Sequence, residues 1–133
     1  MLSIAEVKEG LITYLKAKTV ITDRLTDGAN EIREVQWQGS DFTYPNVRLR
    51  VRELTPFADC GLGQIACHIY VFSEDASSKE ADEITGIIAN ELHEKHFSSA
   101  GVMYNLWVTD VISAIRQDIR TWRAEILLSG KVS

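Results

Sequence analysis

The pattern of hydrophobic and polar positions changes its period several times along the chain. The first stretch, from Ser3 to Ala17, predicts an amphipathic helix because apolar residues recur every three to four positions, at Ile4, Val7, Leu11 and Leu15. Ser3 and Glu6 have the spacing of a capping box at its start. A short helical or turn segment is predicted next, at about 20–25, ending at the turn-forming residues 26–30.

Three segments then alternate with a period of two, which is typical of strands: 31–37, 46–54 and 64–72. In the third segment both sets of alternating positions are largely apolar. Because only a strand covered on both faces buries two apolar sides, this segment is predicted to lie centrally in its sheet.

A second long helix is predicted within 73–97, with Ser77 or Ser78 as N-cap. Its buried stripe is predicted to consist of Ala81, Ile84, Ile88 and Leu92. Two further strands follow, 102–115 and 121–132, separated by a polar turn near 116–119.

This order of elements predicts an α+β fold. Strands joined by short loops pair antiparallel, and helices cover one side of such a sheet. We therefore expect a two-layer sandwich with a mainly antiparallel sheet of four to five strands and the two main helices packed on one face. The chain, 1–133, is the length of one domain. The uncovered face of the sheet must be solvated or buried by a partner.

Composition adds few constraints. Hydrophobic residues make up 45% and charged residues 25%, which are ordinary values for a globular protein. No apolar run approaches the roughly 20 residues of a transmembrane helix, and the N-terminus lacks the pattern of a signal peptide. A soluble protein made in the cytoplasm is expected. Cys60 and Cys67 lack the partners of a zinc site and are expected to be thiols.

The negative charge is concentrated in one segment. The chain has a net charge of −5. Residues 74–96 hold seven carboxylates and two lysines, so this segment alone accounts for the excess and the rest of the chain is balanced. A dedicated nucleic-acid binder normally carries a basic excess clustered on one face, so this class is disfavoured.

Three short motifs resemble chemical sites but lack the required geometry. His93 and His96 are three residues apart, whereas the zincin motif places its two histidines four apart. Cys67 and His68 are adjacent in a strand and point to opposite faces. The glycines at 61 and 63 lead into a strand, whereas phosphate-binding loops lead into helices. We therefore expect no enzymatic activity, no cofactor and no metal.

The second strand carries a row of alternating arginines: Arg48, Arg50 and Arg52. Alternate strand residues share a face and lie about 7 Å apart, so this row is predicted on the open face of the sheet. It would pair with carboxylates on that face or form part of an interface between subunits, with nucleic-acid binding as the third alternative. The candidate carboxylates are Glu34, Asp110 and Glu125.

The assembled pattern resembles a known family. An N-terminal helix leads through "YPNVRLRV" to a strand ending "YVFSED", followed by the helix "SSKEADEITGIIANELHEKHF" and two final strands. The Tyr44-Pro45 pair and the strand-to-helix transition "VFSEDASSKEADEI" carry the resemblance, which is to the phage tail-completion or tail-terminator proteins and covers nearly the whole chain.

The resemblance implies a virion structural protein without chemistry. Such a protein forms a ring, typically a hexamer, at the head-proximal end of the tail. The ring caps the tail tube, ends its polymerisation and provides the surface for head–tail joining. Its partners would be further copies of itself, the tail tube protein and a head–tail connector protein. Assembly would occur in the host cytoplasm, with no membrane and no sequence-specific nucleic-acid partner, although DNA would pass through the ring.

The residues themselves suggest where subunits would meet. The hypothesis is that the charged strand of one subunit faces the acidic helix of the next. The candidate interface residues are Arg48, Arg50, Arg52, Phe57, Asp59, Glu80 and Glu83. Two alternatives stay open: a head–tail connector component, and, in a different class, a small-molecule-binding or enzymatic domain with a pocket around His68, Tyr70 and Trp107.

Overall fold

A computed structural model describes residues 2–35, 43–56 and 61–133. It contains a short 3₁₀ helix, Gly28–Glu31, together with three α-helices and six strands. In chain order these are α1 Ile4–Lys16, α2 Thr19–Thr22, β1 Ile32–Glu34, β2 Asn46–Pro56, β3 Gly63–Ser73, α3 Lys79–Leu92, β4 Lys95–Ser99, β5 Val102–Arg116 and β6 Trp122–Val132.

The first helix begins at the predicted capping box. The Ser3 hydroxyl accepts a hydrogen bond from the Glu6 backbone N–H at 3.1 Å, and the Glu6 carboxylate accepts one from the Ser3 N–H at 3.3 Å. Two N–H groups that a helix start leaves without intrahelical partners are thus satisfied. Periodicity and cap together located this element correctly.

The strands form one six-stranded sheet in the order β1-β2-β3-β6-β5-β4. Pairing is antiparallel except between β1 and β2, which are parallel, with Ile32 opposite Val47. The predicted mainly antiparallel sheet is confirmed, but it has six strands rather than four to five, and the parallel β1–β2 pair was not predicted.

The sixth strand, β4, was assigned to the end of the second helix by the sequence pattern. The helix instead ends at Leu92, His93 is extended, and Glu94 has a φ of 56°. The left-handed residue that follows a helix is usually glycine. Here that residue is Glu94, so no glycine marked the end of the helix in the sequence. Residues Ala100 and Gly101, with φ of 50° and 81°, then form the tight turn of a β4–β5 hairpin.

Both main helices pack on the same face of the sheet, as predicted. Val7, Leu11 and Leu15 of α1 join the buried stripe of α3 in one hydrophobic core with the inward residues of the strands. The predicted α3 stripe is confirmed in full, whereas Ile4 of the predicted α1 stripe is 40% exposed. The fold is therefore a mixed α+β layer pair. Its second sheet face has no helix packed on it among the described residues.

A β-bulge interrupts β2 at Arg52. Val51 lies opposite Cys67 and Glu53 lies opposite Ala66, so Arg52 is the extra residue. A bulge shifts the alternation by one position. Leu54 therefore falls opposite the buried Ile65, on the core side, while Glu53 falls on the other side. Without the bulge a carboxylate would face the core.

Cys67 lies in the core on β3, and Cys60 lies outside the described residues. Burial raises the pKa of the Cys67 thiol to about 12. Because the thiolate is the reactive species, we expect Cys67 to be inert in the folded protein. In a Cys60→Ser variant at about pH 8, Ellman's reagent should release almost no chromophore until concentrated guanidinium is added. Rapid stoichiometric labelling of the folded variant would contradict this burial.

Candidate interaction surface

The open face of the sheet is the side opposite α1 and α3, and its central residues are polar or aromatic. His68 Nδ1 lies 2.8 Å from a Glu125 carboxylate oxygen on the neighbouring strand β6, and the Tyr70 hydroxyl lies 3.3 Å from the same nitrogen. The Arg123 guanidinium stacks over the Tyr70 ring at 5.6 Å. Burial, followed by the nearby Glu125 charge, raises the pKa of Tyr70. These side chains are half-buried and partnered within the chain.

The arginine row does not form one continuous charged surface. Arg48 is only 4% exposed, because it forms an ion pair with Glu31 at 3.3 Å, and Glu31 is itself 2% exposed. Arg50 is exposed and lies opposite His68. Arg52 is exposed in the bulge, 3.4 Å from the Glu53 carboxylate. Arg48 and Arg50 lie on the open face, as predicted, but Arg48 is buried by its pairing with Glu31. The bulge at Arg52 interrupts the alternation on which the continuous row was predicted.

The Glu31 carboxylate is the centre of a small buried polar network. One oxygen accepts from the Arg48 guanidinium, and the other accepts from the Thr43 N–H at 2.7 Å and from the Thr43 hydroxyl. The Asn46 amide group donates to the Thr43 carbonyl at 3.0 Å. Burial lowers the pKa of Arg48, an effect that the adjacent Glu31 charge opposes. This network links the segment before β2 to the 3₁₀ helix. Charge reversal at Arg48 would therefore test the stability of the fold rather than a contact between subunits.

The two acidic interface candidates on α3 also have partners within the chain. The Glu80 carboxylate accepts from the Ser73 hydroxyl at 2.7 Å. The Glu83 carboxylate lies 2.7 Å from the Arg24 guanidinium and 3.8 Å from the Lys79 ammonium group. Both ion pairs of Glu83 are solvent-exposed, and exposed pairs contribute little to the free energy of unfolding. A contact of Glu80 or Glu83 with another subunit stays a prediction, and Phe57 and Asp59 lie outside the described residues.

The carboxylates proposed as partners for the arginine row have other neighbours. Glu34 pairs with Lys8 of α1 at 3.1 Å, and Glu125 pairs with His68. Asp110 is exposed on β5, which β3 and β6 separate from β2. Arg48 instead forms an ion pair with Glu31, and Arg52 with Glu53.

The residues predicted to line one pocket, His68, Tyr70 and Trp107, do not share the cavity that lies beside Tyr70. A cavity of about 410 Å³ lies beside Tyr70, and its described lining includes neither His68 nor Trp107. The lining residues are Lys8, Glu34, Val35, Leu49, Arg50, Val51 and Tyr70. It is a groove at the edge of β2, just beyond the end of β1.

The histidines near the end of α3 have separate surroundings. His93 Nδ1 accepts a hydrogen bond from the Val108 N–H of β5 at 3.0 Å, while His96 lies within β4. Residues 2–35, 43–56 and 61–133 contain no group of three histidine, cysteine or carboxylate side chains arranged to hold a metal ion. Within the same ranges, no helix is long and apolar enough to cross a membrane.

A group of exposed apolar side chains on one hairpin was not identified from the sequence. Val111, Ile112, Ile115 and Ile119 are 44–85% exposed on the β5–β6 hairpin. The sequence pattern assigned 102–115 to a strand but left its outer residues unassigned, because a strand with apolar residues on both faces suggests a buried position. Ile112 and Ile115 are exposed because they lie on the open face of the sheet, and Ile119 because it lies in the turn.

The comparisons with known proteins bear on the fold. No protein-family model matches the chain, and none of the curated proteins matches it in sequence. One chain of a solved structure, the virion of a native gene transfer agent (GTA) particle, matches over 99% of this chain and 98% of its own length. The TM-score is 0.78 at 13% sequence identity. At this identity the likeness establishes a shared fold, and it extends from end to end.

Proposed function

We propose that this chain is a structural component of a virion or virion-like particle. The observation that carries this proposal is the end-to-end match of its fold to a chain of a gene transfer agent virion. A shared fold alone does not specify function. A domain with an unrelated role would be expected to match over a shared core and to differ at its ends. The agreement over both full lengths supports a common role in particle architecture.

Within the particle, we assign the chain to the head-proximal end of the tail, as a tail terminator. The strand and helix motifs that resemble the tail-completion proteins support this position. As a ring of identical subunits, it would cap the tail tube, stop its polymerisation and offer a surface to the head–tail connector. This role requires only stoichiometric binding, so we propose no catalysis.

The test is deletion of the gene in its host, followed by electron microscopy of the particles produced. If the protein is a tail terminator, the deletion should produce tail tubes of uncontrolled length that are not joined to filled heads. Complementation with the gene on a plasmid should restore uniform tails, and a plasmid with an early stop codon is the matched control. Immunogold labelling of intact particles should mark the junction between head and tail.

Other outcomes would contradict parts of the proposal. Normal-length tails that fail to join heads would replace the terminator by a head–tail connector component. Normal particles lacking the protein by mass spectrometry would contradict any structural role in the virion.

A further inference from the structure

The β5–β6 hairpin carries an exposed apolar patch, which we call the arm. Its members are Ile112, Ile115 and Ile119, which are 44%, 57% and 85% exposed. Ile112 lies opposite Glu125 and Ile115 opposite Arg123, so both side chains are on the open face, and Ile119 is in the turn. Single exposed apolar residues are common on protein surfaces, but three in one hairpin form a candidate interaction surface.

The turn that presents Ile119 is well ordered by hydrogen bonds. The Asp118 carboxylate accepts from the backbone N–H groups of Arg120 and Thr121, both at 2.9 Å. The Arg116 guanidinium donates to the Ile119 carbonyl and packs over the Trp122 ring at 5.6 Å. A turn fixed in this way loses little conformational entropy on binding. The exposure of Ile119 is therefore a fixed feature of the hairpin.

A second apolar surface lies at the opposite end of the same sheet, and we call it the cleft. It is a cavity of about 410 Å³ where β4, the start of β5 and the end of β6 meet. Its apolar lining is Leu62, Phe97, Met103, Tyr104 and Val132. Met103 is 62% exposed, on the open face opposite Ser98. Phe97 stacks on Tyr14 of α1, and the Tyr104 hydroxyl donates to the Val7 carbonyl, so these two residues lie on the helix side of the sheet. The cleft is therefore at the end of the sheet and is bordered by residues of both faces.

The arm and the cleft cannot meet within one chain. Met103 and Ile115 lie near opposite ends of β5, roughly 40 Å apart for about 3.3 Å of rise per residue. A second copy of the chain can supply the missing half of each surface. We infer that the arm of one subunit packs into the cleft of the next, in a repeating head-to-tail contact. Such heterologous contacts generate rings when the rotation closes.

The area of the arm is compatible with such a contact. Its three isoleucines expose on the order of 300 Å² between them, a substantial share of the roughly 800 Å² that each partner buries in a standard interface. In a ring each subunit contributes both an arm and a cleft, so every subunit buries both surfaces. This inference builds on the proposed function by naming where the ring closes, yet it can be tested on the purified protein alone.

The first experiment measures mass in solution by analytical ultracentrifugation. The wild-type chain should sediment as an oligomer at about 100 μM, where a contact with a dissociation constant near 1 μM is largely formed. An arm variant, Ile115→Ser with Ile119→Ser, should be monomeric, with the dissociation constant raised at least about 100-fold. A cleft variant, Leu62→Ser with Met103→Ser, should behave alike. Val20→Ser, which changes an exposed apolar residue of α2, is the matched control.

The second experiment mixes the arm variant with the cleft variant. Each variant keeps one intact surface, so the mixture can form a single wild-type contact, and native mass spectrometry should detect a heterodimer that does not extend further. An arm-to-arm dimer would give a different result, because the arm variant could not then bind the cleft variant. Circular dichroism and unchanged thermal unfolding verify that each variant is folded.

The outcomes separate this inference from the proposed function. A monomeric wild type, or a wild-type oligomer unaffected by the arm variant, would overturn the arm-and-cleft contact even if gene deletion gave overlong tails. Formation of the heterodimer together with normal particles after gene deletion would support the contact and reject the terminator role.

Discussion

Replacing Glu31 by glutamine is expected to lower the free energy of unfolding by about 3 kcal/mol, because it leaves the buried Arg48 guanidinium beside a neutral group. Glutamine has nearly the same shape, so the loss reports charge rather than a cavity. Its amide nitrogen also cannot accept the hydrogen bonds that Thr43 donates to the carboxylate. Urea unfolding followed by tryptophan fluorescence measures the change.

The matched control is the same substitution at Glu34. Glu34 pairs with Lys8 at 3.1 Å, but both side chains are solvent-accessible, at 44% and 30%. Water and salt screen such a pair, so Glu34→Gln should cost below about 1 kcal/mol. A double-mutant cycle with Arg48→Met should give a coupling energy of about 1–3 kcal/mol between Glu31 and Arg48. Equal losses at Glu31 and Glu34 would contradict a special role for the buried pair.

The buried pair also shows where prediction from sequence reached its limit. Period-two alternation placed Arg48 on the face of β2 away from the helices, and the register with Tyr70 confirms this face. Its burial depends on Glu31, which is 17 residues earlier and belongs to the 3₁₀ helix leading into β1. Local periodicity carries no information on which distant segment covers a strand. The parallel β1–β2 pairing was not anticipated either.

Local signals were sufficient where an element's own residues specify it. The capping box and the stripes of α1 and α3 were predicted because helix periodicity is a property of the segment itself. The bulge at Arg52 and the end of α3 at Leu92 were missed, since neither has a glycine or proline at the critical position. The hairpin turn Ala100–Gly101 did have a signal, a glycine after a small residue, that predicts β4 in retrospect.

The predicted interaction residues show the same contrast between local sequence signals and contacts with distant segments. Charge patterns identified Arg50, which is exposed, and residues such as Arg48 that the fold uses internally. The arm was missed because apolar residues in a strand are ordinarily assigned to a core. Those side chains form a surface because they lie on the open face or in the turn, on the half of β5 that extends beyond the end of β4.

A close contact between α1 and the sheet gives the second large effect. Gly10 faces β4 and β5, where the Ser99 hydroxyl donates to the Gly10 carbonyl at 2.7 Å and the Tyr104 hydroxyl donates to the Val7 carbonyl at 2.7 Å. A Cβ atom at Gly10 would lie 2.9 Å from the Ser99 carbonyl oxygen and would overlap the Tyr104 hydroxyl. The absence of a side chain therefore sets how closely α1 approaches.

Gly10→Ala is expected to destabilise the protein by roughly 2 kcal/mol. Alanine favours a helix over glycine by about 1 kcal/mol, but overpacking costs about 1–3 kcal/mol and a displaced, buried Tyr104 hydroxyl costs about 1–3 kcal/mol more. The steric terms therefore exceed the gain in helix propensity. Urea unfolding measures the loss. Adding Tyr104→Phe should recover part of it, because removal of the hydroxyl opens space at the contact.

Gly86 provides the same substitution in a helix without the contact. It lies inside α3, and a Cβ atom built there has no neighbour within 4 Å. Gly86→Ala should therefore stabilise the protein by about 1 kcal/mol, through helix propensity alone. The two alanine variants should differ by about 3 kcal/mol, with opposite signs relative to wild type. If both were stabilising to the same extent, α1 could not approach β5 as closely as the hydrogen bonds of Tyr104 and Ser99 require.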